Sequence, residues 1–214
     1  MTEDSRPEEA PMTEFLLREP TLLPSSQGLA PHGESNLIDE LQQPRIALFW
    51  GAQAPTRTLL TVLTGMAAAG RSARVFDGGN SFDGYFVARL ARRLSPQPYA
   101  VLNRIRLSRA FTCFQLAELI ENAGESTDPL FVLDLLATFY DESVPLRDSD
   151  RLLAGTLSHL KRLAAVGPVV VGACEPKALV KERWALLDRV QAAADASWML
   201  RAPLPPEDIQ PRLF

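Results

Sequence analysis

The first residues with the types and spacing for chemistry lie between Gly51 and Thr58. A loop that cradles nucleotide phosphates reads G-x-x-x-x-G-K-[ST], because its glycines let the backbone approach, its lysine meets the phosphates and its hydroxyl binds magnesium. Aligning Gly51 with the first glycine puts Thr56 at the second glycine, Arg57 at the lysine and Thr58 at the hydroxyl. The segment keeps the spacing of a phosphate-binding loop and half of its chemistry.

The replacements weaken the loop in different ways. Pro55 has no N–H to direct at an anion. Arg57 is a broad planar fork that can meet a phosphate, though not from the position of a lysine, whereas Thr58 keeps a hydroxyl suited to magnesium. Pro55 is also favoured in the first turn of a helix. The favoured interpretation is therefore a loop that binds nothing, and residual nucleotide binding is the alternative.

A second chemical feature is the run Leu130, Phe131, Val132, Leu133, Asp134. Four apolar residues before one carboxylate predict a buried strand that delivers an acid to its carboxyl end. In phosphate-binding α/β proteins such an acid holds the magnesium ion or its water. A helix cap or a solvated strand end is the alternative. The candidate residues of a residual nucleotide site are Gly51, Arg57, Thr58 and Asp134.

The elements that position these residues follow from apolar periodicity. Strands are predicted at residues 46–50, 72–77, 101–107, 130–136, 169–172 and 197–201. Helices are predicted from Leu59 to Gly70 and at 85–94, 114–123, 148–166 and 181–191. This alternation predicts an α/β fold with a mainly parallel sheet covered on both faces. Ligands of such sheets lie beyond the carboxyl ends of the strands, where Gly51, Asp77 and Asp134 should converge.

Composition divides the 214 residues into three predicted parts. Residues 1–43 contain nine acids and two arginines and are expected to form an acidic, mostly disordered leader. Residues 44–202 form the core domain, and 203–214 an irregular proline-rich tail. Two apolar islands in the leader, at 15–17 and 36–41, are expected to cover the protein's own edge, with docking onto a neighbouring subunit as the alternative.

Other chemistry is not indicated by the sequence. Cys113 and Cys174 lack metal-type spacing, and the two histidines are far apart, so neither a metal site nor a catalytic triad is expected. No apolar run approaches the roughly 18 residues that cross a membrane. We expect a cytoplasmic protein without membrane partners.

The order of features over residues 46–201 resembles the ATPase core of the RecA superfamily, especially the RadA-type recombinases and their paralogues. Residues 77–82 look like that family's D-T-E-G-x-F segment, and 131–135 like its apolar strand ending in aspartate. Residues 108–115 are similar to its A-R-A-[FY]-x-x-x-x-Q segment, with one residue fewer. The resemblance implies a three-layer RecA-like domain.

The departures from the family imply lost activity. Gly79 stands where the family's glutamate activates water, Leu135 replaces a small hydroxyl residue, and no glutamine lies near residues 173–175. Loss of one oriented catalytic group commonly costs about 10²-fold or more in rate. The resemblance therefore implies a pseudo-ATPase with no catalytic residues and no required cofactor, although ATP with Mg²⁺ stays a candidate ligand. It also implies an accessory role in DNA recombination, repair or a damage response, beside a RecA-like or self subunit. The alternative is an ATP-binding regulator with little or no hydrolysis.

A basic stretch supplies a candidate interaction face. Residues 71–109 hold eight arginines and only two acids. Arginines fork onto phosphates, so DNA is a candidate partner. The alternative is a solvated helix face with ion pairs to the acidic leader. Few aromatic residues lie among these arginines, so base stacking is not predicted. The predicted nucleic-acid or partner face comprises Arg89, Arg92, Arg93, Arg104 and Arg106.

Overall fold

The computed structural model describes residues 22–24 and 41–200. Within them, seven strands form one sheet: β1 (Leu22–Pro24), β2 (Ile46–Gly51), β3 (Ala73–Asp77), β4 (Ile105–Arg109), β5 (Leu130–Leu133), β6 (Val169–Cys174) and β7 (Ala196–Leu200). Their order across the sheet is β1-β7-β2-β6-β5-β3-β4. Only β1 is antiparallel to its neighbour. The predicted mainly parallel sheet is confirmed.

Helices cover both faces of this sheet. They are α1 (Thr56–Ala68), α2 (Gly84–Leu94), α3 (Pro98–Asn103), α4 (Cys113–Glu121), α5 (Leu146–Ala164) and α6 (Trp184–Ala193), the last preceded by a 3₁₀ turn at Ala178–Arg183. Helices α1, α2 and α3 contribute to the core on one face, and α4, α5 and α6 to the core on the other. The protein is a three-layer α/β domain, consistent with the predicted RecA-like architecture.

The sequence of β5 is a continuous apolar run because both faces of the sheet are covered. Phe131 and Leu133 pack in the core that contains α1, while Leu130 and Val132 pack in the core that contains α5. Successive strand residues point to opposite faces, so every position must be apolar. All four side chains are at most 1% exposed.

Strand β2 lies in the interior of the sheet, between β6 and β7, the last strand of the described residues. The backbone N–H of Ile46 donates to Asp195 Oδ2 at 2.7 Å, and Asp195 N donates to Ile46 O at 2.9 Å. Trp50 Nε1 donates to Ser197 Oγ at 3.1 Å. Gly51 is required at the end of β2, because a Cβ there would lie 2.2 Å from the carbonyl oxygen of Leu200.

The structure differs from the predicted elements around residues 101–107. The chain is helical over Pro98–Asn103, and the strand begins only at Ile105. Pro98 lies in the first helical turn, where its fixed φ and missing N–H are tolerated. Val101 packs against alanines of α1 and α2, so its burial comes from a helix contact and not from strand alternation.

Two pieces of the predicted leader are part of the domain. Leu22–Pro24 pairs with β7, and Leu41, the last residue of the second apolar island, is 1% exposed in the core. Residues 36–40, the rest of that island, lie outside the described residues. The first island and the predicted tail at 203–214 lie outside the described residues. In the part of the chain that is described, no helix combines the length and apolarity needed to cross a membrane.

Phe131→Ala tests the core. Phe131 is 0% exposed, so we expect a loss of about 3–5 kcal/mol of unfolding free energy from lost burial and the cavity left behind. Phe114→Ala is the matched control, since Phe114 is 55% exposed and its truncation should cost much less. Urea unfolding followed by circular dichroism measures both. Equal losses would contradict the central position of β5.

Candidate functional site

The carboxyl ends of the central strands form one rim of the sheet. Gly51 ends β2, Cys174 ends β6, Asp77 ends β3, and Asp134 follows β5 directly. The predicted convergence at this rim is confirmed. Asp77 and Asp134 are close neighbours because β3 and β5 are paired, whereas β6 separates Gly51 from β5.

The carboxylate of Asp77 is fully buried, and both of its oxygens accept hydrogen bonds. Its Oδ1 accepts a hydrogen bond from Ser81 N at 2.9 Å, and its Oδ2 accepts from Phe82 N at 3.0 Å. Arg109 Nε lies 3.5 Å from Oδ2. A buried charge is tolerated when it is paired and hydrogen-bonded in this way. Asp77 therefore fixes the loop that follows β3 and has no free oxygen to offer a ligand.

Asp134 takes an unusual backbone conformation and covers Gly79. Its φ of 49° lies in the left-handed region that few residues other than glycine adopt. A Cβ on Gly79 would lie 2.7 Å from both Cβ and Oδ2 of Asp134. The aspartate side chain thus fills the space that a glutamate at position 79 would need.

The environment of Asp134 raises the pKa of its carboxyl group. Burial raises the pKa of this carboxyl, the Cys174 thiol and backbone N–H lower it as hydrogen-bond donors, and nearby Asp77 raises it further. Its Oδ1 is buried with no hydrogen-bond partner among the described residues. Desolvation without a matching cation explains the direction of the shift.

Cys174 is correspondingly unreactive. Burial, together with the charge and hydrogen bond of Asp134, raises the pKa of the Cys174 thiol to about 12. The hydroxyl of Tyr140 donates to the backbone carbonyl of Cys174 at 2.9 Å, which holds this end of β6 in place. Because the thiolate is the nucleophilic form, Cys174 is a packing residue at neutral pH.

The loop after β2 packs against the sheet. Pro55 is buried, and its Cγ would lie 3.3 Å from a Cβ placed on Gly172 of β6. Gly51 O accepts a hydrogen bond from Glu175 N at 2.8 Å. Thr56 Oγ1 donates to Ser81 Oγ at 3.3 Å, which ties the start of α1 to the loop held by Asp77. Pro55 immediately precedes α1, as its preference for helix starts predicts.

Two of the candidate nucleotide-site residues lie on α1. Thr58 is half-buried in the first turn of the helix. The guanidinium carbon of Arg57 lies 5.1 Å from the centre of the Phe86 ring on α2, a cation–π arrangement. Arg57 is therefore engaged by a neighbouring helix, while Gly51 and Asp134 lie at the rim of the sheet.

The five arginines of the predicted face occupy three places. Arg89, Arg92 and Arg93 are exposed on α2. Arg104 is half-buried, and its Nη1 donates to the carbonyl of Ala67 at 3.3 Å. Arg106 points to the opposite face of the sheet, because its neighbour Ile105 packs toward α1 and side chains alternate along a strand. Arginines that are close together in the sequence therefore do not form one continuous surface.

A groove between α4 and α5 was missed by sequence reasoning. It encloses about 340 Å³ and combines apolar, acidic and basic side chains. The sequence signal was Gly155 in the middle of a helix, where a Cβ would meet nothing within 4 Å. Its lining includes Phe114, Ala117, Asp148, Arg151, Gly155 and His159.

No model of a known protein family matches this sequence, and a comparison with curated proteins gives no match either.

Over residues 22–24 and 41–200, no group of three or more histidine, cysteine, aspartate or glutamate side chains is arranged to hold a metal ion.

Asp134→Asn tests the buried carboxyl. The pKa of the Asp134 carboxyl is higher in the folded protein than in the unfolded chain. The folded protein therefore loses stability as the pH rises from the pKa of the unfolded chain through the pKa of the folded protein. Asparagine removes that loss and tolerates a positive φ. We expect a higher unfolding midpoint than wild type at neutral pH and no difference at about pH 3, where the carboxyl is protonated in both states.

The control for this experiment is Asp188→Asn, which alters an exposed carboxylate of α6 and should leave the unfolding midpoint unchanged. Thermal unfolding across the pH range measures both variants. A destabilised Asp134→Asn at neutral pH would instead show that Asp134 is ionised and stabilised by its surroundings.

Gly79→Ala tests the contact with Asp134. The added methyl group overlaps the aspartate side chain, so we expect a loss of about 1–3 kcal/mol in unfolding free energy. Gly155→Ala is the matched control, since a Cβ there is unopposed in a helix and should stabilise by about 0.5–1 kcal/mol. Denaturant titration measures both. A neutral Gly79→Ala would contradict the close approach of Asp134.

Proposed function

We propose that this chain is a catalytically inactive RecA-like accessory protein that acts by contact with other macromolecules. The observation that carries the proposal is the position of Asp134 over Gly79. A general base must lie within hydrogen-bond reach of the proton that it removes. Here the position that would supply the base is a glycine, and the space that a side chain would need is filled.

The loop after β2 supports the same conclusion. Phosphate cradles depend on successive N–H groups that point at the anion and on a cation that reaches it. Pro55 contributes no N–H and is packed against Gly172, and Arg57 is stacked on Phe86. Burial raises the pKa of the Asp134 carboxyl, which disfavours the ionised form that magnesium binds.

The proposed contacts lie at the open edge of the sheet. Within the described residues β4 pairs only with β3, so its other side presents unpaired backbone groups that can accept a further strand. Leu107 on this edge is 38% exposed, and Phe111 just after it is 69% exposed. Apolar side chains beside an unpaired strand fit a RecA-like subunit or a second copy of the chain.

The process follows from the resemblance of the motifs. A RecA-like accessory protein would act in DNA recombination, repair or a damage response, and the exposed arginines of α2 make DNA a candidate partner. The alternative function is a regulator that binds ATP with little or no hydrolysis. It would use Gly51, Thr58 and Asp134, with Arg57 released from Phe86.

Titration with ATP and magnesium tests the proposal. We expect no binding heat by calorimetry from the wild type, and no phosphate release from either the wild type or the double variant Thr56→Gly, Arg57→Lys. The double variant restores the loop chemistry but leaves Gly79 without a carboxylate. Binding by the wild type without phosphate release would favour the regulator, and phosphate release from either protein would overturn the proposal.

A further inference from the structure

One face of α2 combines three arginines with an exposed aromatic ring. At about 3.6 residues per turn, Tyr85, Arg89, Arg92 and Arg93 share the side opposite the buried residues of the helix. Tyr85 is 91% exposed, and the eleven residues of α2 contain no acid. Arg57, over the Phe86 ring, borders this face. We call these five residues the arginine stripe.

The acidic counterpart is the segment before β1. Residues 1–21 contain two arginines and six acids, which are Glu3, Asp4, Glu8, Glu9, Glu14 and Glu19. Strand β1 runs antiparallel to β7, and its first residue, Leu22, is opposite Leu200 at the carboxyl end of β7. The segment therefore joins the domain at the carboxyl rim of the sheet. Helix α2 begins at this same rim, seven residues after the end of β3.

The segment is long enough to reach the stripe. Strands are spaced about 4.8 Å apart, so β1 and β3, separated by five spacings, are about 24 Å apart across the rim. Twenty-one residues span up to about 70 Å when extended. The chain can cross the rim and still lay several carboxylates along α2.

We propose that residues 1–21 dock on the arginine stripe of their own chain. Carboxylates pair with guanidinium groups through two parallel hydrogen bonds, and several such pairs act together along one helix face. Because the segment is tethered at the rim, its effective concentration at the stripe is high. Nucleic acid would meet the same arginines, so in this arrangement it must displace the segment first. The proposal is independent of nucleotide binding at the rim.

The chain offers a direct reporter of this docking, because it has only three tyrosines. Tyr85 lies in the stripe, Tyr99 is exposed on α3, and Tyr140 is held near the end of β6. The full chain labelled with 3-fluorotyrosine gives one ¹⁹F resonance for each, assigned by Tyr→Phe variants. The test variant replaces the six acids of residues 1–21 by their amides. The control variant amidates six exposed acids elsewhere, which are Glu118, Glu121, Glu142, Asp148, Glu182 and Asp188.

At about 0.01 M salt we expect the Tyr85 resonance of the test variant to be displaced from wild type and control. At about 1 M salt the Debye length is only about 3 Å, so attraction between the acidic segment and the arginines is screened. The three proteins should then give the same Tyr85 signal. Tyr140 should not respond. Superimposed Tyr85 resonances at low salt would overturn the proposal. If single-stranded oligothymidylate then shifted the Tyr85 resonance equally in wild type and test variant, the arginine stripe would be a binding site for nucleic acid and not for residues 1–21.

Discussion

The arrangement of the rim depends on one buried carboxylate. Asp77 is 0% exposed and accepts hydrogen bonds from the backbone of the loop that follows β3. Those bonds fix the path of the loop, which places Ser81 against Thr56 at the start of α1 and Gly79 beneath Asp134. Without this charge, the end of β3 and the beginning of α1 would have no polar connection here. Asp77, which resembles part of a catalytic motif, therefore stabilises the loop after β3.

The architecture could be read from the sequence because it rests on local periodicity. Continuous apolar runs such as β5 mark strands covered on both faces, and apolar positions three and four apart mark helices. The error at residues 101–107 arose where apolar and polar residues alternate over a short stretch. The deciding contact there, Val101 against Ala67 and Ala91, joins three helices and has no signature in the local sequence.

The site was less predictable, because its properties come from residues far apart in the chain. Asp134 could be placed at the end of a strand, but the raised pKa of its carboxyl depends on burial and on the nearby Asp77. Arg57 could be aligned with a phosphate-binding lysine, but the Phe86 ring that holds it belongs to another helix. The arginine run looked like one surface, and strand alternation sends Arg106 to the other side of the sheet.

Strand β2 lies between two strands that are synthesised much later than it is. Its Ile46 bonds to Asp195, which is 149 residues later. A ribosome adding about 5–20 residues per second needs roughly 7–30 s to cover that distance. During most of that interval β2 has neither of its permanent neighbours, because β6 begins at Val169 and β7 at Ala196. Strand β2 therefore cannot take its final place in the sheet until β7, the last strand of the described residues, leaves the exit tunnel.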